Sequence, residues 1–248
     1  MSSRPKFFVA REQIIDNKVT LIGSDVSHIR TVLRLKAGDS IQVISDSDKR
    51  LTVRLVEVRT KEVKGEVIAS TTINVESPLA VHLGQALTKG NKFDVILRKS
   101  VELGVRSVTP LMTERCVVKT HRTEVGKKIE RWKKIVLESS KQCGRSKIPL
   151  VAEDVETLET FCRKNDHQDL KLIFWELEEK KTLKDIKLDV QPRSVAVLIG
   201  PEGGFSQAEI ENVREYGFQT VGLGPRILRA ETAPVVALAL LQSRWGDL

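Results

Sequence analysis

The sequence predicts an α/β protein with two domains, a small β-rich domain followed by a domain built on a mostly parallel sheet. Two observations support this division. Residues 1–75 contain short segments in which apolar and polar residues alternate with period two, as at Ile41 and Val43, which is typical of half-buried strands. From about residue 80 onward, apolar runs alternate with helical stretches, and KLIFWEL and VAVLIG are apolar enough for strands buried on both faces.

The first domain is predicted to span residues 1–73 and to form a compact β-barrel of about 70 residues. A short helix is expected from near Asp25 to just before Gly38, and residues 45–49 are typical of a hairpin turn. Its predicted strands are FFVA, VTLIG, IQVIS, RLTVRLVEV and GEVIAS.

The second domain is predicted at residues 78–248, after a break in the pattern around Pro78. Strands and helices alternate along its length, so its sheet should be mostly parallel and covered by helices on both faces. The predicted helices are KFDVILRKSVELG, a long basic helix at 122–143, a short helix at 155–164, SQAEIENVREYG and TAPVVALALLQSRW.

Positive charge is concentrated in the middle of the chain. The net charge of the 248 residues is +8, but residues 77–150 carry 16 Lys/Arg against 6 Asp/Glu, whereas residues 151–248 carry 12 against 17. A polyanion such as nucleic acid is the partner that this pattern favours, with a solvated surface as the alternative. Aromatic residues make up only 4%, which disfavours a broad stacking platform for single strands.

Several classes of protein are excluded by what the sequence lacks. It has no apolar run of membrane-spanning length and no secretory signal, so we expect a cytoplasmic protein without a membrane partner. Cys116, Cys143 and Cys162 form no CxxC pair, and the four histidines form no cluster, so we expect inert thiols and no metal site. Neither GxxxxGK[ST] nor GxGxxG is present, which disfavours enzymes that use NAD or ATP.

The stretch VLIGPEGGFSQAE, residues 197–209, leads from a buried strand through a glycine-rich turn into a helix. Ser206 and Glu209 have the spacing of a capping box, which places the start of the helix. Ligands of open α/β sheets bind at the carboxyl ends of strands, and glycines let a backbone approach them closely. A tight structural turn is an equally good interpretation of the spacing, but Glu202 has no evident packing role and favours a ligand.

The stretch TVGLGPRILRAETAP, residues 220–234, is a second loop of this kind. Thr232 is a candidate N-cap of the last helix, and the loop carries Arg226 beside its apolar residues. Apolar residues in a loop often line a pocket for a flat ligand. If the two loops lie at adjacent strand ends, a ligand site becomes the favoured interpretation.

GPEGG, followed after a helix by LGPRILRAETA, resembles the sequence of the RsmE family, and the likeness extends over nearly the whole chain. It includes residues 28–39, 85–105, 114–118 and 131–149. The family uses S-adenosylmethionine to methylate N3 of one uridine in 16S (small-subunit) ribosomal RNA. The resemblance implies a PUA-like RNA-binding barrel, a SPOUT domain with a trefoil knot, a homodimer, and a substrate within the assembled 30S subunit.

The same resemblance assigns residues to the cofactor. Trp175 and Glu176 are expected as a third wall of the cofactor site. Cofactor contacts are implied for Leu198, Ile199, Gly200, Pro201, Glu202, Gly203, Leu223, Gly224, Ile227, Leu228, Arg229 and Thr232.

The predicted basic helix is expected to contact RNA phosphates, which position the RNA without reading its sequence. The candidates in and just after this helix are Lys133, Lys134, Lys141, Arg145 and Lys147, joined by Arg30 and Arg34 of the barrel.

Methylation of uridine N3 requires loss of the N3 proton, because the neutral imide nitrogen has no available lone pair. Arg229 is the candidate that stabilises the resulting anion, and Glu202, Glu231 or a water molecule is the candidate proton acceptor. The alternatives are a SPOUT enzyme that modifies a 2′-hydroxyl or guanine N1, and a ribosome-assembly factor that binds RNA without catalysis.

Overall fold

The computed structural model describes residues 4–45, 49–73, 75–118 and 122–248, so most of the turn predicted at 45–49 lies outside the described residues. The chain divides into two compact units. One comprises Met1–Glu76 and Ser140–Ile148, and the other comprises Ser77–Ser139 and Pro149–Leu248. The domain limits 1–73 and 78–248 stay a prediction.

The first unit is built on one six-stranded sheet with the order β1-β4-β5-β6-β3-β2. All its pairings are antiparallel except β1 with β4. Among the described residues, β1 and β2 are the two edge strands, and the predicted β-barrel takes the form of a curled half-barrel. The strands are β1 (Lys6–Phe8), β2 (Ile14–Ile15), β3 (Lys18–Ile22), β4 (Ser40–Ser45), β5 (Lys49–Val58) and β6 (Glu62–Thr72).

The helix predicted between Asp25 and Gly38 is shorter than expected. It consists of α1 (Ser24–Ser27) continued by a π-helical turn, His28–Val32, which buries Ile29. Two residues later, Arg34 has a φ of +54°, a left-handed conformation in which a helix cannot continue. The segment therefore turns away before Gly38.

The second unit contains a sheet of seven strands, all paired in parallel, with the main order β10-β8-β7-β12-β11-β13 and β9 beside β8. The predicted parallel sheet is confirmed. Its strands are β7 (Ala80–Ala86), β8 (Ser107–Met112), β9 (Leu150–Val151), β10 (Glu156–Thr157), β11 (Leu170–Phe174), β12 (Ser194–Ile199) and β13 (Gln219–Val221). Its helices are α2 (Lys92–Glu102), α3 (Arg122–Cys143), whose last four residues group with the first unit, α4 (Leu158–Lys164), α5 (Gln207–Glu215) and α6 (Ala233–Trp245).

The core of the second unit lies on both faces of its sheet, as the apolar runs predicted. Val195 and Val197 of β12 pack into the cluster that contains residues of α2, α3 and α6. Ala196 and Leu198, which alternate with them, pack into a second cluster that contains residues of α4 and α5. Because β12 is held from both sides, the position of its carboxyl end is well defined.

Within the described parts of the chain, no helix is both long and apolar enough to cross a membrane.

Candidate active site

The two predicted loops follow β12 and β13, but these strands are not neighbours. β11 lies between them and pairs with both, so our expectation of adjacent strand ends was wrong. The order of the strands could not be read from the sequence, because it depends on long-range pairing. β13 follows β12 along the chain but pairs with β11 at the edge of the sheet. The consequence is that Trp175 and Glu176, which follow β11 directly, lie at the strand end between the two loops.

The first loop, residues 200–206, is anchored by several contacts. Gln85, a buried residue of β7, donates from Nε2 to the Gly200 carbonyl oxygen at 3.4 Å, and Arg115 donates from Nη1 to that of Gly203 at 3.1 Å. Gly204 has a φ of +66°, and a Cβ there would overlap the carboxylate of Glu176. A larger residue at position 204 would therefore displace Glu176.

The predicted capping box closes this loop and is confirmed. The Ser206 hydroxyl accepts from the Glu209 backbone N–H at 3.2 Å, and the Glu209 carboxylate accepts from the Ser206 N–H at 2.9 Å. Glu209 also accepts from the backbone N–H of Glu114 at 2.8 Å, which joins the loop after β8 to the start of α5. The first loop is thus held at both ends.

Within the described parts of the chain, the backbone hydrogen bonds of the second loop, residues 222–232, lie near its two ends. The Gly222 N–H donates to the Lys181 carbonyl oxygen at 2.8 Å, and the Arg229 carbonyl oxygen accepts from the Thr232 N–H at 2.8 Å. Residues 224–227 between these anchors are exposed, and Ile227 is 84% exposed. Leu223 alone packs against the core.

Thr232 occupies the N-cap position of α6, but its side chain makes no capping hydrogen bond, so that part of our prediction was wrong. Its backbone has helical dihedral angles, φ −88° and ψ −39°, instead of the extended conformation usual for a capping residue. Pro234 in the first turn lacks an N–H, which reduces the need for a cap.

The two candidate carboxylates converge on Lys92, in the first turn of α2. The Lys92 Nζ lies 2.9 Å from Glu202 Oε1 and 3.6 Å from Glu231 Oε2. Glu202 Oε1 also accepts from the Lys89 backbone N–H at 3.1 Å. Burial acts to raise the pKa of Glu202, but the hydrogen bonds from Lys92 and Lys89 outweigh it and lower that pKa below its usual value. Glu202 thus has a structural role, as a partner of Lys92 and Lys89, that could not be seen in the sequence.

Buried polar atoms without a partner are concentrated at the same edge of the sheet. Seven buried side-chain atoms lack a hydrogen bond within the described residues, and four of them lie here, namely Gln85 Oε1, Thr88 Oγ1, Trp175 Nε1 and Glu231 Oε2. Three of these residues lie within two positions of the carboxyl end of β7 or β11, and the fourth belongs to the second loop. Buried polar atoms are normally satisfied, so these atoms indicate that a polar ligand or water completes the site.

The residues predicted to contact RNA have different surroundings. In the first unit Arg30 and Arg34 are exposed, and in the second unit Lys134 is exposed. Lys133 pairs with Glu130 at 3.2 Å and with Glu153 at 2.7 Å.

Lys141, Arg145 and Lys147 belong to the segment that groups with the first unit. Lys141 pairs with Asp25 at 3.3 Å, whereas Arg145 is only 6% exposed and pairs with Glu76 at 2.5 Å. The same carboxylate accepts from the backbone N–H groups of Ser146 and Lys147 at 2.9 and 3.0 Å. Burial acts to raise the pKa of Glu76, but its interactions with Arg145 and these N–H groups lower it overall. This geometry favours a loop-positioning role for Arg145.

No group of three or more His, Cys, Asp or Glu side chains that could hold a metal ion occurs in the described parts of the chain. Cys162 is buried in the core, and burial raises its pKa to about 12, so its thiol stays protonated at neutral pH.

Sequence reasoning missed three residues that shape the site, namely Gln85, Lys92 and Arg115. Each lies at or just beyond the carboxyl end of β7 or β8, the strands on one side of β12. The available signal was the position of polar residues directly after apolar strands, in the stretches at 85–105 and 114–118.

Comparisons with known proteins agree with this architecture. A family model described as an RNA methyltransferase domain matches residues 75–242, and one described as an RNA methyltransferase PUA domain matches residues 21–68. The ribosomal RNA small subunit methyltransferase E of Buchnera aphidicola subsp. Schizaphis graminum is 34% identical over 244 residues, 98% of each chain. The protein of the same name from Bacillus subtilis is 34% identical over 227 residues, 90% of this chain and 88% of that one.

Two solved structures are similar over 99% of both chains. One is a ribosomal RNA small subunit methyltransferase E from Neisseria gonorrhoeae bound to S-adenosyl methionine, with a TM-score of 0.85 and 33% identity. The other is a methyltransferase from Legionella pneumophila in complex with the same cofactor, with a TM-score of 0.90 and 38% identity.

The fold and the site define a SPOUT-type RNA methyltransferase with an N-terminal PUA-like domain, which confirms the predicted fold class. Within that class, the chain belongs to the ribosomal RNA small subunit methyltransferase E family, the RsmE family that the sequence resembles.

Proposed function

We propose that this protein transfers a methyl group from S-adenosylmethionine to N3 of a uridine in 16S (small-subunit) ribosomal RNA. The observation that carries the proposal is the site at the carboxyl ends of β7, β12 and β11, where two glycine-containing loops lie beside buried polar atoms without partners. Members of the family named for this activity match nearly the whole chain. We assign the catalytic domain to residues 78–248 and the RNA-binding domain to residues 1–73.

S-adenosylmethionine, when bound, supplies an electrophilic methyl group. The residues present fit such a group, because the loops offer backbone N–H and C=O groups beside apolar side chains, and Gln85 and Trp175 retain unpaired polar atoms. We assign the cofactor to residues 198–203 of the first segment and to Leu223, Gly224, Ile227, Leu228, Arg229 and Thr232 of the second.

The chain's own groups have to orient the uridine and stabilise the anion formed when N3 loses its proton. Arg229 is exposed in the second loop, so its guanidinium is accessible to a bound base. Both carboxylates contact Lys92, but Glu202 accepts hydrogen bonds from Lys92 and Lys89, whereas Glu231 Oε2 lies 3.6 Å from the Lys92 ammonium and accepts no hydrogen bond from the described residues. This difference favours Glu231, or a water molecule, over Glu202 as the proton acceptor.

We assign RNA binding to the predicted basic residues other than the buried Arg145, and among these Arg30, Arg34 and Lys134 are exposed. Such residues position a phosphate backbone without reading its sequence. We further propose that the protein acts as a cytoplasmic homodimer on the assembled 30S subunit.

The test is incubation of the protein with methyl-labelled S-adenosylmethionine and small ribosomal subunits from cells that lack it, followed by nucleoside mass spectrometry. We expect label in 3-methyluridine. Label in a 2′-O-methylated nucleoside or in 1-methylguanosine would replace the target with that of another SPOUT enzyme. Absence of label on unmodified subunits, with the protein folded, would favour a non-catalytic assembly factor.

A further inference from the structure

Lys92 is a residue to which neither the sequence analysis nor the assigned chemistry gives a role, yet it occupies a central place in the site. It lies in the first turn of α2, an element distinct from both cofactor loops. Its ammonium group contacts one carboxylate from each loop, Glu202 at 2.9 Å and Glu231 at 3.6 Å. Among the ion pairs of the described residues, this is the pairing that joins residues of the two loops through one cation.

The surroundings of Lys92 favour a position of its side chain between the two carboxylates. α2 is anchored on its opposite side, where Phe93, Ile96 and Leu97 are buried in the core. A lysine in the first turn of a helix also faces the positive end of the helix dipole, which is an unfavourable position for a cation. The two carboxylates offset that disadvantage, and Lys92 therefore has a reason to remain between them.

The carboxylates are partly shielded, with side-chain exposures of 26% for Glu202 and 24% for Glu231. Without Lys92, two carboxylates that share a cation would face each other across the loops and repel. The hydrogen bond to Glu202 raises the pKa of Lys92, so the ammonium form persists throughout the neutral range.

We propose that Lys92 is a positioning residue that fixes the spacing of the two cofactor loops by binding Glu202 and Glu231 together. This proposal rests on the proposed function, since it assumes that the two loops bind S-adenosylmethionine. Lys92 acts through the carboxylates and needs no contact with the methyl group. Its loss should therefore weaken cofactor binding more than it slows the transfer step.

The test is calorimetric titration of S-adenosylmethionine into the full-length protein and its variants. K92M keeps the length of the side chain and removes the charge, and we expect it to raise the Kd about fivefold, the effect of losing a partly exposed ion pair. K92R should restore most of the affinity. The matched control is K99M on the same helix. Within the described parts of the chain Lys99 pairs with Glu102 of its own helix, at 2.9 Å, so K99M should leave the Kd unchanged.

Two further measurements separate positioning from a general loss of structure. Melting temperatures identify any variant that is destabilised. In an E202Q/E231Q background, K92M should have no further effect on the Kd, because the partners of the ammonium group are already gone. An unchanged Kd for K92M, or an equally large effect in the double-glutamine background, would overturn the proposal. A wild-type protein that binds no S-adenosylmethionine would instead overturn the proposed function itself.

Discussion

The two loops of the site differ in how firmly the rest of the protein holds them. The first is fixed by a capping box, by Gln85 and Arg115, and by the packing of Gly204 against Glu176. The second is held at Gly222, by the hydrogen bond between Arg229 and Thr232, and by the contact of Glu231 with Lys92, while residues 224–227 are exposed. One sheet edge therefore carries one preformed loop and one loop that depends on few contacts.

This difference indicates that the two loops contribute differently to cofactor binding and to methyl transfer. A preformed loop binds its ligand without first losing conformational entropy, so it contributes chiefly to affinity. An exposed loop with Arg229 and Ile227 can adjust around a ligand, and its groups are accessible to a second substrate. We therefore expect substitutions in the first loop to weaken cofactor binding more than those in the second, and the loss of Arg229 in the second loop to slow methyl transfer.

The largest effect is expected for R229A. Loss of a cation that stabilises a developing anion typically lowers a rate by 10²–10³, so we expect kcat to fall about 300-fold. The Kd for S-adenosylmethionine should rise by a much smaller factor, because Arg229 is one of several residues assigned to the cofactor. Single-turnover methylation and calorimetry measure the two quantities. R226A, in the same exposed loop, is the control. A loss of cofactor affinity without a loss of rate would reverse the division between the loops.

The next effect is expected in the first loop, for G204A. Gly204 has a φ of +66°, and a Cβ there would overlap the Glu176 carboxylate and displace it. Backbone strain and the displacement of Glu176 together should weaken cofactor binding about 100-fold. G224A is its counterpart, with a φ of +101° but open space around the Cα, and should weaken binding about tenfold. Equal losses in the two variants would show that crowding does not distinguish the loops.

A smaller effect, on stability, is expected in the first unit. There the Glu76 carboxylate accepts hydrogen bonds from residues 145–147 and so fixes this loop, just as hydrogen bonds fix the first loop of the site. E76Q should lower the free energy of unfolding by about 2 kcal/mol, because it leaves Arg145 buried with a weaker partner. Chemical denaturation measures this.

The contribution of Glu76 also depends on pH, with a defined sign. Its pKa in the folded state is lowered, so the stabilisation is complete above the usual value of 4.5 and is lost as the pH falls through the folded-state pKa. E76Q and wild type should therefore converge in stability under acid. A difference that persists unchanged at low pH would assign the effect to packing instead of charge.

The smallest effect concerns RNA. Lys134 is exposed, whereas Lys133 is held by two carboxylates. K134A should weaken binding to small subunits about threefold and should reduce the slope of log K against log salt concentration by about one. K133A should change the affinity and the slope less. Filter binding at several salt concentrations compares them. A larger loss for K133A would show that its ion pairs give way to RNA.

The sequence predicted the elements of the site better than their arrangement. Alternating and continuous apolar runs located the strands, and the spacing of Ser206 and Glu209 located the start of α5, because these are local patterns. The placement of β11 between the two loops depends on long-range pairing that no local pattern encodes. The same holds for Lys92, whose partners lie 110 and 139 positions away along the chain, and for the burial of Arg145 against Glu76.

Hydrogen exchange with and without S-adenosylmethionine tests the contrast between the loops, and with it the cofactor site, most directly. Peptides that cover residues 198–206 should exchange slowly in the free protein and change little on binding. Peptides that cover residues 222–232 should exchange rapidly in the free protein and slow by about tenfold or more when the cofactor binds. If neither segment changed its exchange rate at saturating cofactor, the assignment of the cofactor site to these two loops would be contradicted.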